Sequence, residues 1–112
     1  MRVEERKVGE VLVVQPAEDR LDARIAQDFK NRLNDLIRQG HRLIVLNLAQ
    51  VQFMDSSGLG AMVSALKTMG GQGDVVVCGV RTTVMMLFEL TRMNQVFRLF
   101  PSETEAVTAL SK

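Results

Sequence analysis

The residues best suited to chemistry are Phe53-Met54-Asp55-Ser56-Ser57-Gly58-Leu59-Gly60, a carboxylate followed by two hydroxyls and two closely spaced glycines. They lie where a strand-like run gives way to a helical pattern. The first turn of a helix has amides without intrahelical partners and carries the positive end of the dipole, so an anionic group there gains roughly 0.3 to 1 kcal/mol. A phosphate suits the place. Gly58 and Gly60 would let a large partner, such as a nucleotide-bearing active site, approach the backbone closely. The same residues also have a purely structural reading, in which Asp55 or Ser56 is an N-cap and the glycines let the helix lie tight against a sheet. Each glycine costs about 0.8 to 1 kcal/mol in a helix interior. Contact with a second protein or tight internal packing would offset that loss.

Enzymatic readings of this stretch lack parts. A nucleophile elbow needs G-x-S-x-G, but Met54 stands two residues before Ser56, and the lone His41 precedes a strand with no evident acid partner. His41 reads as a loop residue near a helix end. A P-loop needs Lys and Ser/Thr after its second glycine, whereas Ala61 and Met62 follow Gly60. One histidine and one cysteine leave little from which to build a zinc or haem site, so no metal or cofactor is expected. Cys78, in a valine run, reads as a small core hydrophobe in a reducing cytoplasm.

The elements that must position the serines are legible from hydrophobic spacing. Val3 to Val14 reads as an N-terminal hairpin ended by Pro16, and Asp22 is the expected cap of a helix carrying Ile25, Phe29, Leu33, Leu36 and Ile37 up to Gly40. Leu43 to Leu48 reads as a central strand covered on both faces. Leu59, Met62, Val63, Leu66 and Met69 form one stripe of a second helix stopped by Gly70 and Gly71. Val75 to Cys78 is a further strand. Thr82 or Thr83 would cap a third helix presenting Val84, Leu87, Phe88 and Thr91 on one side, and a last strand runs from Val96 to Phe100. Ser102 and Glu105 form a capping-box signature for a terminal helix through Leu110. Met85 and Met86 are adjacent and cannot both face one stripe, so one belongs to the surface. The alternation after the hairpin requires crossover helices between parallel strands, giving a mixed α/β sheet with about four helices in one domain over residues 1–112. The segments expected to be flexible are Gln15 to Leu21 and Gly70 to Asp74.

Composition narrows the function classes. The 112 residues are 46% hydrophobic and 24% charged, consistent with one packed core. A net charge of +1 provides no broad field for phosphate backbones, and Trp and Tyr are absent, so nucleic acid is not an expected partner. The charged first ten residues lack an apolar leader segment, and no apolar run approaches the ~18 residues of a membrane span, so neither secretion nor membrane insertion is expected.

Ile44-Val45-Leu46-Asn47-Leu48 followed by Phe53 to Gly60 resembles the STAS domain family, specifically bacterial anti-sigma factor antagonists. Weaker similarity covers Leu21-Asp22, Val75 to Cys78 and Leu87-Phe88 to Phe97. The resemblance implies a cytoplasmic, non-enzymatic switch protein. Unphosphorylated, it would bind an anti-sigma factor that is also a serine kinase and so free a sigma factor. Phosphorylation of Ser56, the serine directly after the motif aspartate, would abolish binding, and a PP2C-type phosphatase would reverse it. Asp22, Asp55, Ser56, Ser57, Gly58, Leu59 and Gly60 are the implied partner-binding residues. STAS domains also imply an alternative role as a scaffold or as a cytoplasmic subunit of a lipid-transport ABC complex.

Overall fold

The computed structural model describes residues 1–111. Strands β1 (Val3–Val8) and β2 (Val11–Pro16) form the N-terminal antiparallel hairpin. A two-residue strand β3 (Arg20–Leu21) leads into helix α1 (Ala26–Arg38), followed by β4 (Leu43–Asn47), the short β5 (Phe53–Met54) and helix α2 (Ser56–Met69). Then come β6 (Asp74–Cys78), α3 (Thr82–Leu90), a 3-10 turn (Met93–Gln95), β7 (Leu99–Phe100) and α4 (Glu103–Leu110). The main sheet has the order β1-β2-β4-β6-β7, with β2, β4, β6 and β7 mutually parallel and β4 at the centre.

Strand periodicity divides the apolar residues between two layers. Leu12, Val14, Ile44, Leu46, Val75 and Val77 face a large core with Phe29 and Leu33 of α1, Leu59 and Met62 of α2, and Val84 and Phe88 of α3. Val11, Val13, Val45, Val76 and Cys78 face a smaller core closed by Ala106 and Leu110 of α4. The central strands are therefore apolar on both sides, which is why they read as nearly continuous hydrophobic runs.

Several local expectations are corrected. Residues 15 to 21 do not form a free loop: β3 pairs in parallel with β5, and the Asp19 carbonyl accepts the amides of Gln52 (2.7 Å) and Phe53 (3.1 Å). Asp22 does not cap α1, whose N-cap is Ile25 without a side-chain bond; its carboxylate instead accepts the Arg24 amide at 3.1 Å in the preceding turn. Neither Thr82 nor Thr83 caps α3. Arg81 occupies that position, and the Thr83 hydroxyl donates to the Gln52 carbonyl at 2.9 Å. Thr91 is exposed, with its hydroxyl turned back onto the Leu87 carbonyl. The last strand is limited to Leu99–Phe100, because the amides of Val96 and Phe97 donate back to the Met93 carbonyl at the exit of the 3-10 turn, and Phe97 packs edge-on against Phe88.

Other readings match the geometry. Ser102 accepts the Glu105 amide, α2 stops at Gly70 in the left-handed conformation, and Met85 is half-buried while Met86 is exposed. No helix is long and apolar enough to cross a membrane among the described residues.

Candidate functional site

The short β3–β5 pair builds the site. Its parallel register sets Leu21 beside Met54, so the chain leaving β5 at Asp55 lies next to the chain leaving β3 at Asp22. The Asp55 amide donates to the Leu21 carbonyl at 3.4 Å. Asp55 is the N-cap of α2: one carboxylate oxygen accepts the amides of Ser57 (2.9 Å) and Gly58 (3.1 Å), while the other accepts the Ala23 amide at 3.2 Å. One side chain thus closes the start of α2 and ties it to the turn before α1. Two of the amides that would have welcomed a phosphate are already engaged by this carboxylate.

Ser56 occupies the first helical position and is exposed, as is Ser57. Among the described residues, no side-chain hydrogen bond holds the Ser56 hydroxyl. Gly58 and Leu59 are different. Both are buried, Gly58 against the β3 backbone and Leu59 with an edge on the groove that Ser56 also lines. A Cβ on Gly58 would collide with the Leu21 backbone carbonyl, whereas one on Gly60 would meet nothing within 4 Å. The structural reading therefore explains Gly58, and Gly60 faces outward.

Asp22 reaches the same surface from the other side of the β3–β5 pair. Burial raises its carboxyl pKa, but hydrogen bonds from the Arg24 amide and from the guanidinium groups of Arg20 and Arg24 outweigh it and hold it below the ordinary value. Arg20 also stacks its guanidinium 4.2 Å from the centre of the exposed Phe53 ring. Phe53 belongs to the sequence motif yet was not among the residues expected at the site. A large aromatic immediately before a capping aspartate, too near the strand end to bury, was the available signal.

On the far side of Ser56 lies an open groove of about 560 Å³ between α1, α2 and the end of α3, lined in part by Lys30, Leu59, Val63, Lys67 and Met93. Lys30 is a site residue that the sequence pattern did not bring forward, because it sits on the polar face of a helix remote in sequence. Among the described residues no cluster of three His, Cys, Asp or Glu side chains could hold a metal ion. His41 lies in the loop before β4. The arrangement presents a serine hydroxyl to an external reagent.

The chain belongs to the STAS domain family, whose model matches residues 2–106. It is similar to the anti-sigma F factor antagonist of Paenibacillus polymyxa, with 35% identity over 68 residues, which make up 60% of this chain and 58% of that protein's length. Its fold matches the crystal structure of an anti-sigma factor antagonist from Mycobacterium paratuberculosis with a TM-score of 0.91 and 20% identity, covering 99% of this chain and 94% of the other. It also matches the Bacillus cell fate determinant SpoIIAA in its phosphorylated form, with a TM-score of 0.71 and 20% identity over 96% and 98% of the two chains.

Proposed function

We propose that this chain is an anti-sigma factor antagonist of the partner-switching type. Unphosphorylated, it binds an anti-sigma factor with serine kinase activity in the cytoplasm and thereby releases a sigma factor. The kinase transfers the γ-phosphoryl group of ATP to Ser56 Oγ: the bond to the bridging oxygen breaks, ADP leaves, and the serine proton passes to a base of the kinase. A PP2C-type phosphatase returns the hydroxyl by hydrolysis. The observation that carries this reading is the exposed Ser56 hydroxyl at the first position of α2, flanked by a carboxylate that already fills the capping site.

That geometry supports phosphorylation as an inhibitory event. A phosphate adds about −1.5 to −2 charges and three acceptor oxygens. Because Asp55 has engaged the nearby amides, the new charge gains little from the helix end and meets a fixed carboxylate instead. It stands outward, where repulsion and desolvation oppose rebinding. Each ~1.4 kcal/mol of differential binding changes affinity tenfold, so a local penalty suffices without refolding.

The test is to incubate the chain with the anti-sigma factor kinase of its own organism and ATP and to measure intact mass. Wild type and Ser57→Ala gain one phosphoryl group, and Ser56→Ala gains none. Loss of the modification only in Ser57→Ala overturns the assignment. Binding of the unmodified kinase by Ser56→Asp falls by about tenfold or more. NMR shifts on phosphorylation stay near Ser56, and widespread changes would replace a local block by a rearrangement.

A further inference from the structure

The groove beside Ser56 has a distinctive charge arrangement. Its floor is apolar, made by Leu59, Val63 and Met93, and Lys30 from α1 and Lys67 from α2 also line it. Both lysines are exposed, and among the described residues no carboxylate lines the groove and neither lysine has a salt-bridge partner. At the turn before α1, by contrast, the guanidinium groups of Arg20 and Arg24 share the Asp22 carboxylate, at 3.4 Å and 3.5 Å. The serine therefore shares its groove with two cations that, unlike those arginines, have no carboxylate beside them among the described residues.

Resting on the antagonist reading, we propose that this groove receives an acidic segment of the anti-sigma factor kinase, with an apolar side chain on the Leu59–Val63–Met93 floor and carboxylates toward Lys30 and Lys67. Charge complementarity selects that occupant: a basic segment would meet two unpaired ammonium groups, and a neutral one would leave them uncompensated on a partly desolvated surface. Phosphorylation of Ser56 then has a second effect besides crowding the turn. Ser56 lines the same groove as Lys30 and Lys67, so its phosphate supplies from within the anion that the partner would otherwise bring, and the two compete for the same cations.

The experiment measures affinity for the same kinase, without ATP, for wild type, Lys30→Glu/Lys67→Glu, Lys30→Arg/Lys67→Arg, and Lys7→Glu as a distant charge reversal on β1. The Glu double variant binds roughly tenfold or more weakly, and its affinity depends less steeply on salt, because an attractive charge pairing has been removed. The Arg variant and Lys7→Glu bind like wild type. Among the described residues neither lysine has a hydrogen-bonded side-chain partner to lose, so thermal melting of the Glu variant stays close to wild type and separates a binding defect from misfolding. Wild-type affinity in the Glu double variant, with binding still lost in Ser56→Asp, overturns the groove while the antagonist role stands. Failure of wild type to bind the kinase at all removes both. When Ser56→Asp is combined with the lysine reversal, the losses sum to less than the two single effects; strict additivity overturns the competition for cations.

Discussion

Gly58 and Gly60 are two residues apart on one helix and answer to different constraints. At Gly58 there is no room for a methyl group, since the Leu21 carbonyl occupies the place. Gly58→Ala must push β3 away from α2 and is expected to cost about 1 to 3 kcal/mol by overpacking. At Gly60 the space is open, so Gly60→Ala recovers helix propensity and stabilises the chain by about 0.8 to 1 kcal/mol. Urea denaturation of the two variants gives opposite shifts in midpoint. If the outward face of Gly60 is where the kinase approaches, the more stable Gly60→Ala also binds it more weakly. Asp55→Ala loses a cap and the link to Ala23, and is expected to lower stability by about 1 kcal/mol or somewhat more in the same assay. A cap at Asp55 or Ser56 was legible because sequence-local geometry requires one there, and the bonds to Ser57 and Gly58 assign it to Asp55. The role of Asp22 was not, because its partners depend on the turn that precedes α1.

At the scale of elements, two ion pairs join parts that the sequence does not connect. Glu5 of β1 accepts from Arg32 of α1 at 2.6 Å, and Glu103 of α4 accepts from Arg6 of β1 at 2.7 Å and from Asn47 of β4 at 3.0 Å. The hydrogen bond from Arg32 holds the Glu5 carboxyl below its ordinary pKa, and that from Arg6 does the same for Glu103, in each case against the opposing effect of burial. With folded pKa values depressed, protons bind more tightly to the unfolded chain. The associated stability is full above the ordinary value of 4.5 and is lost as pH falls below it through the folded values. Urea midpoints should be nearly level from about pH 7 to 6 as far as these two groups are concerned and decline toward about pH 3, with a shallower decline in Glu5→Gln/Glu103→Gln. Both pairs are partly solvated, so their individual contributions are small. The major helices and strands were legible because each carries its own hydrophobic period. The β3–β5 pair was not: two residues are too few to show a period, and β3 exists only because Phe53–Met54 lies alongside it.

Over the whole molecule, Cys78 reports how completely the two layers close. Its side chain is buried between β6 and α4, and burial, with a smaller contribution from Glu103, pushes its thiol up to about 11. A thiol reagent near pH 8 is expected to label it only at the rate of opening, with a steep increase once denaturant unfolds the chain. Fast labelling of the folded protein would mean that α4 detaches on its own. The sequence by itself determined the alternation of strands and helices, the double-sided burial of β4, and a helix beginning at Asp55 or Ser56, because these follow from side-chain periodicity and local backbone bonding. Only the tertiary structure decided that Gly58 packs inward while Gly60 faces out, and that Lys30 of α1 lines one groove with Ser56 of α2. These packing relations depend on how β3 and α1 come to rest against α2, and contacts between segments remote along the chain leave no period to read.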